Sequence, residues 1–200
     1  MKRDLTSFLG HNEKRIDVIS FNYTDTFEVV FDFARKNHSF PSQIDPSHTL
    51  NSVRHIHMRL SNPDFIMGVN DDSQIKNKSL LNDACRRLLV KPYINQQLQN
   101  LVDEECLAMI SQADLICIFG LSIGVTDKMW WEAVGKRLLQ STSRLVYFAY
   151  DNVSVSRNSR IIGRIQDARS LLLNRFGIEN ASDGLLKRIY VGYNSAIFKA

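Results

Sequence analysis

The sequence predicts a three-layer α/β domain with a largely parallel sheet. Apolar runs of strand length alternate with longer segments of helical periodicity, a pattern typical of parallel sheets flanked by helices. Two of these runs, Leu115–Phe119 and Leu145–Ala149, are continuously apolar. Such runs are typical of strands that are buried on both faces. The chain has 200 residues, of which 44% are hydrophobic, so it can bury a sizeable core.

The individual elements follow from periodicity and from helix-ending glycines. We expect strands at Ile16–Phe21, Val53–His57, Phe65–Val69, Leu115–Phe119, Leu145–Ala149 and Ile189–Val191. We expect helices at Thr24–Asn37, Gln96–Ser111, Asp127–Gln140 and Ser159–Phe176, the last of which ends at Gly177. Residues 71–97 have weaker periodicity, and we interpret them as a helical insertion within a single domain of residues 1–200.

Charge and composition argue against a secreted, a membrane-spanning or a zinc-finger protein. The 25 Lys and Arg residues against 21 Asp and Glu residues give a net charge of +4, which permits an anionic ligand without requiring nucleic acid. The basic cluster between Lys76 and Lys91 is interpreted as a solvated face, so nucleic acid is not an expected partner. The longest apolar stretch, Leu115–Val125, is too short for a bilayer, and the first residues are polar, so no membrane contact is expected. Three cysteines without metal-ligand spacing fit a cytoplasmic location.

Polar or glycine-rich segments follow four of the expected strands. They are Asn22–Asp25, His55–His57, Gly68–Asp71 and Gly120–Gly124. Ligands of parallel sheets bind beyond the carboxyl ends of the strands. We therefore expect a ligand site at this edge of the sheet.

Asn22 is the first candidate at that edge. A side-chain amide both donates and accepts hydrogen bonds, so Asn22 could orient a ribose hydroxyl or a water molecule. The alternative is that Asn22 or Thr24 caps the following helix. Asp25 and Glu28 fall in the first helical turn, where negative charge stabilises the helix dipole.

His55 and His57 are two residues apart on a strand and so face the same way. One of them could be a general base, since imidazole titrates near neutral pH. The pair could also be ordinary histidines at a sheet end. It could hold a metal with His48, Asp71 or Asp72, but none of these has a fixed ligand spacing to the pair, and we expect no metal.

The Gly120–Gly124 loop could cradle a phosphate or a ribose through its backbone amides and the Ser122 hydroxyl. The loop also matches the Gly-x-Ser-x-Gly string of serine hydrolases. A hydrolase of that class needs a later histidine, and none follows His57. The sequence therefore favours a nucleotide-binding loop.

Five segments resemble the bacteriophage abortive infection AbiH family. They are Ile19–Thr26, His55–His57, Ile66–Asp71, Ile118–Trp131 and Lys187–Phe198. Together they span roughly residues 16–198 in the family's order. That family is similar to the Rossmann-like, sirtuin-like fold of bacterial anti-phage NAD hydrolases.

The resemblance implies hydrolysis of the nicotinamide glycosidic bond of NAD, or of a related nucleotide. Asn22 would orient the ribose and the attacking water, His57 would act as base or ribose partner, and His55 would support it. The resemblance further implies that the nucleotide is bound by Thr24, Asp25, Gly120, Ser122, Gly124 and Asp127. The alternative is a catalytically incomplete nucleotide-binding or sensor module.

Several residues depart from the family pattern. Met58 stands where the family usually has glycine after the histidine, and Leu121 replaces a sirtuin threonine. The segment Met1–Lys14 lacks a glycine-rich phosphate loop, so the chain looks like a family member without its first β-α unit. The sheet edge left unpaired would be apolar, and we expect it to drive self-association into a homo-oligomer.

Overall fold

The computed structural model describes residue 5 and residues 7–8, 14–36, 48–61, 66–150 and 158–194. The chain divides into two compact units, residues 1–106 and residues 107–200. The organisation into one domain stays a prediction.

The first unit contains a pair of parallel strands. Strand β1 (Lys14–Ser20) pairs with β2 (His48–His55), and their last residues, Ser20 and His55, are partners. Helix α1 (Thr26–Lys36) follows β1. The strand and helix types agree with the prediction, although β2 begins earlier because its polar first residues still pair with β1.

The rest of the first unit is helical. Two 3-10 turns, Asp72–Gln74 and Lys78–Leu80, precede helices α2 (Asp83–Leu89) and α3 (Lys91–Gln97). Helix α4 (Val102–Gln112) begins in this unit and continues into the second. The two turns, with α2 and α3, occupy residues 71–97, which the sequence pattern predicts to be a helical insertion.

The prediction of a strand at Phe65–Val69 is wrong for residues 66–69, which the structure describes. Only Val69 pairs, in a single bridge with Val90. Gly68 lies so close to the end of α2 that a Cβ atom there would overlap the Leu89 carbonyl. This segment is therefore packed against a helix junction.

The helix expected at Gln96–Ser111 is two helices. The chain turns between α3 and α4, where Gln99 has a φ of 52°. The Asn100 side chain then accepts a hydrogen bond from the Val102 amide at 3.2 Å, which caps the start of α4. This asparagine cap therefore divides the predicted helix in two.

The second unit is built on three parallel strands. Strands β3 (Leu115–Phe119), β4 (Arg144–Ala149) and β5 (Ile189–Tyr193) lie in the order β3-β4-β5. The helices of this unit are α5 (Lys128–Gln140), α6 (Asn158–Arg175) and α7 (Asp183–Leu186). The most deeply buried side chains of the unit are Leu138, Leu145, Leu172 and Ile189.

Helices α5 and α6 meet at a glycine. A Cβ atom on Gly135 would overlap the carbonyl oxygen of Phe176 and lie 2.8 Å from the Phe176 Cβ. Gly177, with a φ of 69°, follows α6 in the left-handed conformation expected of a helix-ending glycine. Trp130 and Trp131 on α5 are both buried, so both contribute to the core.

All strand pairings that the structure describes are parallel, and they alternate with helices. The α/β class with parallel sheets is confirmed, whereas the three-layer Rossmann-like, sirtuin-like layout stays a prediction. Within the described residues, none of the helices combines the length and apolarity needed to traverse a bilayer.

Candidate functional site

Asn22 and the two histidines lie together in the first unit, just beyond the paired ends of β1 and β2. The Ile56 amide donates to the Ser20 carbonyl at 3.2 Å, which extends the pairing by one bond. Asn22 is exposed, whereas His55 and His57 are buried. The structure thus brings these three residues to one sheet end, but the expectation that both histidines lie on one strand is wrong, because β2 ends at His55 and His57 lies in the turn that follows.

His55 is fully engaged by hydrogen bonds. Its side chain is 4% exposed, with Nδ1 2.9 Å from the Asn22 carbonyl oxygen and Nε2 2.7 Å from Glu28 Oε1. A carbonyl only accepts, so Nδ1 carries a hydrogen, and Nε2 faces a carboxylate that also accepts. The geometry fits an imidazolium bonded on both sides. His55 thus ties the Asn22 backbone to helix α1 and holds no free base nitrogen.

Glu28 joins this network to Arg59. The Arg59 Nη2 donates to Glu28 Oε1 at 2.7 Å, and Arg59 Nε lies 3.0 Å from Asp25 Oδ1. Burial by itself raises the pKa of Glu28, but the hydrogen bonds from His55 and from its own backbone amide, with the charges of His55 and Arg59, outweigh burial and leave the pKa lowered. Glu28 does more than stabilise a helix end, since it also anchors His55.

Asp25, Glu28 and His55 could in principle hold a cation. One ligand atom from each lies within 4.8 Å of the others. However, Arg59 already contacts both carboxylates, and the His55 nitrogen that faces Glu28 carries a hydrogen. A divalent metal would have to displace both the guanidinium and the proton, so the geometry favours an ion-pair network.

His57 lies in a buried aromatic setting with Lys91. The histidine is 9% exposed and the lysine 8%. Lys91 Nζ is 3.0 Å from His57 Nδ1, and the His57 ring stacks on Tyr23 with centroids 5.2 Å apart. The edge of Phe21 completes the setting, with centroids 6.1 Å apart. An ammonium only donates, so a protonated Lys91 requires Nδ1 of His57 to act as the acceptor.

Lys91 is the residue that sequence reasoning missed. Its interpretation as part of a solvated basic face is wrong, because its amino group lies between His57 and Tyr23. The sequence offers one weak signal. Pro92 marks Lys91 as the first residue of a helix, and such residues can point back into a site.

Thr24, Asp25 and Met58 surround the same strand ends. Thr24 is exposed, and its hydroxyl lies 2.8 Å from that of Thr26, while the Asp25 carbonyl accepts the first bond of α1 from Val29. Met58 follows His57 with a φ of 57°, in the left-handed region that favours glycine. The family resemblance predicts glycine at this position, and the backbone conformation of Met58 favours glycine too.

The predicted nucleotide-binding residues Gly120, Ser122, Gly124 and Asp127 lie in the second unit, directly after β3. Gly120 has a φ of 68°, and Ser122 is exposed. Side chains of the unit fix the loop by donating to its carbonyls at Leu121 (from Tyr147), Ile123 (from Arg175) and Gly124 (from Trp131). Asp127 accepts from the Thr126 hydroxyl at 3.2 Å.

The family model described as Bacteriophage abortive infection AbiH matches residues 4–149. The chain belongs to this family. Its role is therefore in abortive-infection defence against bacteriophage, as the resemblance implies. Both strand-end histidines and the Gly120 loop of this AbiH protein lie within the matched residues. No curated protein and no solved structure matches the chain significantly.

Proposed function

We propose that this AbiH protein acts in phage defence by hydrolysing the glycosidic bond of NAD or a related nucleotide, with Asn22 and His57 at its centre. The observation that carries the proposal is their placement beyond two paired parallel strands, where such sheets bind ligands. The Asn22 backbone is held there by buried His55, while its side chain remains exposed.

The proposed reaction needs no protein base to expel its leaving group. The bond between ribose C1′ and the pyridinium nitrogen breaks, its electron pair goes to that nitrogen, and neutral nicotinamide leaves. Water then adds to C1′ and loses a proton to solvent, which gives ADP-ribose. The leaving group needs no acid, so positioning provides much of the catalysis. The Asn22 amide orients the ribose and the water, and His57 donates from Nε2 to a ribose oxygen.

Other residues contribute to nucleotide binding in this proposal. Thr24 and Asp25 lie beside Asn22 in sequence and offer oxygen atoms to ribose hydroxyls. The loop Gly120–Gly124 of the second unit is proposed separately as a phosphate- or ribose-binding segment, with Ser122 and Asp127. Its carbonyls are held by other side chains, which keeps its backbone in one shape.

The test is nicotinamide release. Purified protein is incubated with NAD, and nicotinamide and ADP-ribose are quantified by chromatography. Asn22→Ala is expected to reduce the rate by about 100-fold, a typical loss when an orienting group is removed. Asn180→Ala, at another exposed asparagine, is the matched control and should leave the rate unchanged. Folded wild-type protein that releases no nicotinamide would rule out NAD hydrolysis.

One observation favours a second candidate, a nucleotide sensor without turnover. Both nitrogens of His55 and the Nδ1 of His57 are committed to protein partners, which leaves neither histidine poised as a general base. A sensor would be stabilised by its ligand, by about 2.7 kcal/mol at 100 times the dissociation constant. A rise in melting temperature with NAD but no nicotinamide would identify the sensor.

A further inference from the structure

Among the residues that the structure describes, none provides an acidic partner for the buried ammonium of Lys91. Its Nζ lies 3.0 Å from His57 Nδ1, 3.4 Å from the Tyr23 hydroxyl and 5.8 Å from the centroid of the Tyr23 ring. Within the described ranges, no carboxylate comes within 4.0 Å of it. Burying a lysine without a counter-ion is costly, so its presence at this position points to a role beyond packing.

Two backbone hydrogen bonds fix the position of Lys91. The Lys91 amide donates to the Val69 carbonyl at 2.9 Å, and the Val69 amide donates to the Leu89 carbonyl at 2.8 Å. These two bonds, with the close approach of Gly68 to Leu89, fix the start of helix α3. The side chain of Lys91 then reaches His57 on the neighbouring strand end.

We propose that Lys91 is a positioning residue that holds His57 as a neutral imidazole with its hydrogen on Nε2. The use of His57 in catalysis rests on the proposed function, but the state of its ring does not. A lysine ammonium can only donate, so it needs Nδ1 as an acceptor. A protonated His57 would place two cations 3.0 Å apart in a buried setting.

The proposed tautomer gives the ring a donor at Nε2, and a donor complements oxygen acceptors such as those of ribose hydroxyls and phosphates. Among the described residues, Lys91 on α3 and Tyr23 after β1 are titratable groups that contact the ring. The charge of Lys91 also acts on Asp103. Burial raises the pKa of Asp103, and the hydrogen bond from Asn95 and, more weakly, the charge of Lys91 oppose this rise.

The experiment reads the His57 ring by NMR in the intact protein. Long-range proton–nitrogen spectra of ring-labelled histidine distinguish the two neutral tautomers and the imidazolium. The chain has five histidines, and a His57→Gln variant assigns the signal. In the wild type at about pH 7, we expect a single Nε2–H tautomer with an unprotonated Nδ1. An Nδ1–H tautomer or an imidazolium there would overturn the proposal without any variant.

Variants then test the role of Lys91. Lys91→Met removes the ammonium and keeps the chain length, so His57 should lose its tautomer preference and take up a proton at a higher pH than in the wild type. Lys91→Arg, which retains a donor, should restore the wild-type signal, and Lys76→Met at an exposed lysine should change nothing. An unchanged His57 signal in folded Lys91→Met would refute the role. The expected signals without nicotinamide release would leave the positioning intact and reject only the hydrolysis.

Discussion

Met58 has a backbone conformation that its own side chain opposes, and substitution measures the cost. Its φ of 57° lies at the centre of the left-handed region. An L-residue there costs about 1–2 kcal/mol, whereas glycine adopts it freely. Against this gain, glycine is less stabilising than alanine by about 0.4–1 kcal/mol, because it increases the conformational entropy of the unfolded chain. The net gain of Met58→Gly over Met58→Ala is therefore about 0.8 kcal/mol.

The comparison with alanine is what isolates the backbone. Both variants lose the contacts of the methionine side chain, so their difference in unfolding free energy reports the strain at φ together with the entropy of the unfolded chain. Met109, which is equally half-buried but lies inside helix α4, is the matched control. There Met109→Gly should be less stable than Met109→Ala by about 0.8–1 kcal/mol, the opposite sign.

Urea denaturation followed by circular dichroism provides the measurement. The midpoints of the four variants are compared at equal slope, since a change of slope would signal a change in the unfolded state. If Met58→Gly proves no more stable than Met58→Ala while the Met109 pair behaves as expected, the argument from backbone strain is refuted.

Three further outcomes test the packing and the ionisation of individual residues. Glu28→Gln should lower the unfolding free energy by about 1 kcal/mol after solvent screening. Because folding lowers the pKa of Glu28, the stability that its carboxylate contributes is present above the ordinary pKa of 4.5 and is lost as the pH falls through the pKa of the folded state. The difference in unfolding free energy between the wild type and Glu28→Gln should therefore be smaller in acid. Gly135→Ala should destabilise by about 1–3 kcal/mol despite the helix preference for alanine, because the methyl group overlaps Phe176; a higher melting temperature would contradict this. Burial, with nearby carboxylates, raises the pKa of Cys106 to about 12, so native Cys106 should resist iodoacetamide while half-exposed Cys85 reacts, as read by mass spectrometry.

The sequence predicts the strands of the second unit closely. The bounds of β3 agree at both ends, because the apolar run is preceded by the charged Asp114 and followed by Gly120, which favours a turn. The placement of Asn22 and the histidines follows from strand order alone, since parallel pairing aligns the ends of β1 and β2. The apolar run and its pairing with β4 thus suffice to bound the strand, although Cys117 and Phe119 are exposed and the expected burial of both faces is not observed in β3.

What the sequence does not reveal depends on contacts between distant segments. Lys91 is charged and stands in a basic stretch, so only the packing of α3 beside Tyr23 and His57 shows that it is buried. Likewise, Glu28 resembles a helix-end charge until His55 and Arg59 converge on it from β2 and the segment beyond. Side-chain partners more than twenty residues apart have no signature in a single sequence.

The indole of Trp131 gives the second unit a built-in optical reporter. Its N–H bond to the Gly124 carbonyl, 2.8 Å long, joins a buried fluorophore to the last residue of the loop after β3. Any molecule that displaces that carbonyl changes the polarity that the excited indole senses and shifts its emission wavelength. In a Trp130→Phe variant, ligand binding at the loop can be followed by the fluorescence of Trp131, without an added label and without assuming any reaction.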